Sequence, residues 1–144
     1  MSYRIRVNTN SKSLAELTRK FLTSKLKHGF DIALSSKTML MIDIDDKDFE
    51  NAKDVTESLC LHFKSNCVLV ETPNGFHIVV LKSLGWDRVE RYIKYLLEVA
   101  ENYKIDKNHL EACLRRGYMT LRCNGTHFWR CEYAEETCRW RLIR

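Results

Sequence analysis

Proline and glycine are scarce: one proline, Pro73, and five glycines in 144 residues. Such a chain holds no Pro-rich or Gly-rich linker and no collagen-like repeat, and no low-complexity run or internal repeat appears in it. Long apolar runs are missing too, so no segment reads as a membrane helix, and the start, Met-Ser-Tyr-Arg-Ile-Arg-Val, has no apolar signal region. The expectation is one cytoplasmic domain spanning 1–144. Paired C-x-x-C spacings are absent as well, although there are six cysteines. Structural zinc sites normally use such pairs, so zinc is not expected; the rival ligand set is Cys123, His127, Cys131 and Cys138.

What is present is ordinary for a globular domain: 44% hydrophobic and 30% charged residues, with 24 Lys and Arg against 19 Asp and Glu. The length suffices for a core without staples. The basic excess is concentrated in arginine near the end: Arg115, Arg116, Arg122, Arg130, Arg139, Arg141 and Arg144, with Phe128, Trp129, Tyr133 and Trp140 among them. Arginine suits bidentate phosphate contacts, and aromatics suit base stacking. Arg139, Arg141 and Trp129 are therefore nucleic-acid-binding candidates, against the alternative of a basic β-hairpin whose aromatics pair across strands. With Ala134-Glu135 as the turn, Cys131 faces Cys138 and Trp129 faces Trp140, a register in which a Cys131–Cys138 disulfide is geometrically accessible.

The richest stretch runs from Thr38 to Lys82. Met39 to Ile42 are apolar, and charge then arrives with Asp43, Asp45 and Asp46. In a strand Asp43 and Asp45 share a face, while Leu40, Ile42 and Ile44 share the other and pack on helices. Two carboxylates at the end of a buried strand suit a hard divalent cation, Mg²⁺ or Mn²⁺. A helix follows, capped by Asp46 or Asp48, with the stripe Phe49, Ala52, Val55, Leu59 and Phe63. Val68 to Val70 and Phe76 to Leu81 then form a hairpin around Glu71-Thr72-Pro73-Asn74-Gly75, with His77 on its return strand.

The strand ending in D-x-D, followed by a hairpin carrying G-F-H, resembles the catalytic core of the archaeo-eukaryotic primase superfamily, which includes primase-polymerases of archaeal plasmids and viruses. The resemblance implies an α/β fold of modified RNA-recognition-motif type, a mostly antiparallel sheet with helices on one face. It implies that Asp43 and Asp45 hold metal and that His77 contacts the incoming nucleotide. Ile105-Asp106 is similar to the family's hydrophobic-acidic third motif; Asp106 also reads as a helix N-cap, with Glu111 as the alternative acid. Leu121-Arg122-Cys123-Asn124-Gly125-Thr126 is similar to an L-R-x-x-G-T element, which makes Arg122 a phosphate contact and Arg130 the downstream basic position. Members often carry proline before that glycine; here the residue is Asn124.

The function that follows is a nucleotidyltransferase using nucleoside triphosphates and a single-stranded DNA template. Members often bear an extra zinc-bearing or helical module, or a fused helicase, and nothing in 1–144 reads as either, so a helicase or accessory primase subunit is an expected partner. The alternatives are a non-catalytic nucleic-acid-binding module, a metal-dependent nuclease for which Glu71 near His77 is the only sign, and a rolling-circle initiator, whose paired histidines are absent.

Before those motifs, Tyr3 to Val7 reads as a strand, and Leu14 to Leu26 as an amphipathic helix ended by Gly29. Phe30 to Leu34 reads as a second strand. After the hairpin, Trp86 to Tyr103 reads as a long amphipathic helix, then comes a short one through Leu110, Cys113 and Leu114, and a strand over Tyr118 to Arg122.

Overall fold

In a computed structural model, residues 4–8, 31–123, 125 and 127–142 are described. The helix expected over Leu14 to Leu26 lies outside them. The elements are β1 (Arg4–Asn8), β2 (Asp31–Ser36), β3 (Met41–Ile44), α1 (Phe49–Phe63), β4 (Cys67–Glu71) and β5 (Phe76–Val80). They continue with α2 (Trp86–Tyr103), α3 (Lys107–Arg116), β6 (Met119–Cys123), β7 (His127–Ala134) and β8 (Thr137–Leu142). The fold is mixed α/β and mostly antiparallel, with β1–β2 the one parallel pair among the described strands.

The strands form two sheets rather than the single one expected: β1-β2-β6 and β3-β5-β4-β7-β8. The division falls between β2 and β3. The Ser36 hydroxyl accepts the N–H groups of Thr38 and Met39, at 2.9 and 3.0 Å, and turns the chain out of the first sheet. The buried N–H of Met41 then reaches the sulfur of Met119 at 3.2 Å instead of a strand carbonyl.

Within the larger sheet, β3, α1, β4, β5 and α2 follow the β-α-β-β-α-β plan, and the order β3-β5-β4 puts β5 between two strands parallel to each other. The sixth element of that plan is reduced to one antiparallel bridge, Ile44 to Ile105, flanked by Asp45 N–H to Lys104 carbonyl at 2.9 Å and Asp106 N–H to Asp43 carbonyl at 2.8 Å. This is an RNA-recognition-motif-like arrangement with its last strand shortened.

Alternation along the strands sorts the side chains. Ile42, Ile44, Phe76, Ile78, Val80, Cys67, Leu69 and Cys131 are buried on the helix side with Ala52, Val55, Leu59, Phe63, Val89, Ile93, Leu96 and Ala100. Helix α1 lies against β4, β5, β7 and β8, and α2 packs on α1 and α3. Asp48 caps α1, its carboxylate accepting from Glu50 and Asn51 N–H, while Asp46 braces Asp48 N–H at 2.7 Å.

The turn of the β7–β8 hairpin lies one residue later than expected, which shifts every cross-strand partner by two residues. Glu135 and Glu136 form the turn, both at positive φ (44° and 66°), so Tyr133 pairs with Cys138, Cys131 with Trp140 and Trp129 with Leu142. Cys131 and Cys138 are free thiols, not a disulfide. A two-residue loop with both φ positive matches the right-handed twist of the strands, and that preference outweighs the poor fit of glutamate to left-handed backbone. Replacing the pair by asparagine and glycine (E135N/E136G) is expected to raise unfolding free energy by about 1–2 kcal/mol, read as a higher urea midpoint at unchanged slope.

Candidate active site

Five-stranded-sheet positions facing away from α1 include Met41, Asp43, His77, Val79, Val68, Val70, Phe128 and Arg130, as the pairings Asp43–His77, His77–Val70 and Val70–Phe128 require. The three-stranded sheet approaches this face through β6, which contacts β3 and β5. Between them lies a cleft of about 340 Å³ lined by Leu34, Ser35, Asp43, His77, His109, Thr120, Leu121 and Arg122. Asp43, His77 and Arg122, candidates from three separate segments of sequence, meet here.

His77 is the hub of the cleft. Its Nδ1 is hydrogen-bonded to the carbonyl oxygen of Arg122, and since a carbonyl only accepts, Nδ1 carries the proton. Its Nε2 lies 3.4 Å from Asp43 Oδ1. The imidazole therefore ties β5 of one sheet to β6 of the other and turns its second nitrogen toward the carboxylate. The Arg122 side chain is exposed at the rim.

His109 is a site residue that the sequence reading missed. It stands in the first turn of α3, three residues after Asp106, and its Nε2 donates to the Thr120 carbonyl at 2.6 Å. Its Nδ1 is buried, with no hydrogen-bond partner among the described residues. Burial alone would lower the pKa of this imidazole; the Cys113 thiol beside it (3.7 Å), the Thr120 carbonyl and the Asp43 charge raise it on balance. The sequence signal is His109 and Cys113 four apart on one helix face, a spacing that places both side chains together.

The acids divide between two sites. Asp43 faces the cleft, while Asp45 and Asp106 line an adjoining groove with Glu101, Lys104, Lys107 and Asn108. Neither Asp45 nor Asp106 makes an ion pair among the described residues. Asp106 is the N-cap of α3, accepting from His109 N–H at 3.2 Å, and the same backbone segment is held to Asp43 by the Ile44–Ile105 bridge. Glu111 is exposed on α3 and lines neither space.

Three carboxylates along one bridged edge are chemically suited to Mg²⁺ or Mn²⁺, which keep several waters and take substrate phosphates as ligands. Their oxygens do not close on one point: among the described residues, only a cysteine trio has three donors within 4.8 Å of one another. Capping and charge are separable at Asp106. Asp106→Ala is expected to cost about 1 kcal/mol in urea unfolding, whereas Asp106→Asn keeps the cap and nearly all the stability.

The basic candidates fall partly on this face. Arg130 pairs with Arg141 across β7–β8, and Glu132 with Arg139. Arg139 and Arg141 are exposed, Arg141 lying 3.6 Å from Glu132. Arg130 Nε is buried 3.8 Å from Glu132, with no hydrogen-bond partner among the described residues. Trp129 points the other way: its ring packs on Phe49, centroids 5.0 Å apart, on the helix side of the sheet, away from the basic residues. His127, offered as a zinc ligand with Cys131, instead binds Glu71 at 2.9 Å. Four residues of extended strand put it about 13 Å from Cys131. Burial works to raise the Glu71 pKa, but His127 and Lys47 prevail and lower it.

No family model, curated protein or solved structure matches the chain. Among the described residues no helix is long and apolar enough to cross a membrane.

Proposed function

We propose that this chain is a metal-dependent nucleotidyltransferase of the primase-polymerase type, synthesising or extending a primer on single-stranded DNA from nucleoside triphosphates. The observation that carries the reading is the convergence of Asp43, His77 and Arg122 on one cleft between two sheets. Asp43, Asp45 and Asp106 would hold Mg²⁺ or Mn²⁺, which when bound supplies Lewis-acid activation of a primer hydroxyl and neutralises charge on the pyrophosphate leaving group.

The chain's own residues position the reactants. The Arg122 carbonyl fixes the His77 ring with Nε2 toward Asp43; protonated at both nitrogens, the ring would donate from Nε2 to that carboxylate or to a phosphate oxygen. The Arg122 guanidinium at the rim offers a planar fork to phosphate. Leu34 and Leu121 form an apolar wall that limits water beside the reacting groups. Arg139 and Arg141, exposed on β8, would hold template or primer by phosphate contacts that weaken with salt.

A second reading, a non-catalytic nucleic-acid-binding replication module or subunit, draws on the carboxylates' failure to close on one ion. The deciding assay supplies single-stranded templates, labelled nucleotides and Mn²⁺ or Mg²⁺. Template-dependent products support the enzyme. Salt-sensitive DNA binding with no products, alone or with a helicase or accessory subunit added, overturns the enzyme in favour of the module.

A further inference from the structure

On the helix side of the sheet, far from the carboxylates in the strand pattern, three thiols from three elements come together. Cys60 lies on α1, Cys131 on β7 and Cys138 on β8, and their Sγ atoms are all within 4.8 Å of one another. Cys60 and Cys131 are fully buried; Cys138 is half-buried. The register that rules out a directly opposed Cys131–Cys138 pair creates this arrangement. Cys131 sits opposite Trp140, which leaves Cys138 diagonal to it on the same face, and α1 brings Cys60 over both.

We propose that Cys60, Cys131 and Cys138 form a binding site for a thiophilic divalent ion, zinc in preference, that joins α1 to the β7–β8 hairpin. Tetrahedral zinc with sulfur ligands at about 2.3 Å sets neighbouring sulfurs about 3.8 Å apart, a spacing within the range that this trio occupies. Further donors stand alongside. Cys67 is directly opposite Cys131 across β4–β7, and Glu57 is one helical turn before Cys60. Glu57 is anchored there, its carboxylate taking the Trp140 indole N–H at 2.7 Å and its carbonyl lying 3.8 Å from Cys138 Sγ. Such bracing of the surroundings is what orients ligands at a metal site.

Soft sulfur donors select zinc over the Mg²⁺ or Mn²⁺ suited to the carboxylates, so the two sites would not compete for one ion. On binding, each cysteine sulfur forms a bond to the metal and gives up its proton to solvent. The ion has a consequence for the sheet edge. It would hold in place the hairpin that carries Arg130, Arg139 and Arg141.

The test is to strip the reduced 144-residue chain with a chelator and titrate it with Co²⁺, then Zn²⁺. Expected are one equivalent of Co²⁺ with a near-ultraviolet sulfur-to-metal charge-transfer band, displacement by Zn²⁺, proton release on binding and a zinc-dependent rise in melting temperature. Cys138→Ser, the least buried change, should weaken binding by at least about a hundredfold, and Cys138→His should restore part of it. Cys113→Ser, outside the trio, should keep the band. No Co²⁺ charge-transfer band in the folded, reduced chain would overturn the site. So would a Cys131–Cys138 disulfide in the native protein, or binding that survives Cys138→Ser unchanged.

Discussion

Asp43→Asn is expected to lower nucleotide incorporation by at least about a thousandfold while leaving the chain folded, because it removes one charge and almost no volume. Of the three acids, Asp43 alone faces the cleft that also holds His77 and His109. Its backbone carbonyl anchors Asp106, and its side chain lies 3.4 Å from His77 Nε2. Asparagine preserves the backbone bond and a polar contact to the ring. On the proposed reading it would take away an anion that Mg²⁺ or Mn²⁺ would bind, and with it part of the ion's hold on the triphosphate. Single-turnover incorporation over a range of Mn²⁺ concentrations, with circular dichroism as the folding control, measures the effect. The double change Asp43→Ala/Asp45→Ala should leave no product. Activity within tenfold of the unaltered chain for Asp43→Asn would remove the carboxylate from the chemistry, whatever the cleft looks like.

Gly75→Ala is expected to destabilise the chain by about 3–5 kcal/mol, enough to unfold a domain of ordinary stability. The reason is contact rather than backbone conformation. A β carbon at Gly75 would collide with the Ile44 carbonyl oxygen and lie 3.0 Å from the Asp46 N–H nitrogen. Both are backbone atoms of the D-x-D segment and cannot swing aside as a flexible side chain would. The turn itself is closed by Thr72 N–H to Gly75 carbonyl at 2.9 Å and by Gly75 N–H to Thr72 Oγ1 at 3.1 Å, with Pro73 and Asn74 at its centre. The glycine thus lets the hairpin tip lie against the end of β3. Gly117→Ala makes the matching control: that residue ends α3 at φ 80° with open space around it, so only conformational strain of about 1 kcal/mol applies. Urea unfolding of both variants separates the mechanisms. Equal, small losses would mean that the β4–β5 tip does not bear closely on β3.

Much of the architecture was readable from pattern. Of the stripe Phe49, Ala52, Val55, Leu59 and Phe63 all but the half-buried Phe49 are buried on α1. Of Trp86, Val89, Ile93, Leu96, Leu97, Ala100 and Tyr103 on α2, Val89, Ile93, Leu96 and Ala100 are buried while Tyr103 is exposed, because helical period and burial are two views of one geometry. The strand around Ile42, the hairpin around Pro73 and the cap at Asp106 are likewise local matters, set by alternation, proline φ and a carboxylate before a helix. The meeting of Asp43 with His77 was half-legible: each could be placed on a strand and a face, but not in cross-strand register.

What pattern misjudged was non-local. The β7–β8 register hinges on which two residues turn, and Glu135-Glu136 carries no glycine or asparagine to mark positive φ. Moving the turn by one residue shifts the pairing by two, which takes Trp140 from opposite Trp129 to opposite Cys131 and Cys138 from opposite Cys131 to diagonal to it on the same face. The second sheet escaped notice because β1, β2 and β6 read as strands equally well in either sheet, and partner choice leaves no trace in alternation.

From the chain alone, then, follow the element types, their buried faces and the residues suited to metal and phosphate chemistry, since each depends on neighbours a few positions away. The packing of the chain on itself decided the rest: two sheets with a cleft between them, His109 as an unforeseen wall of that cleft, Asp45 and Asp106 in a separate groove, and three thiols gathered from α1, β7 and β8. Those outcomes rest on contacts between distant segments, where the gain comes from burying whole faces together and the register determines which side chains meet.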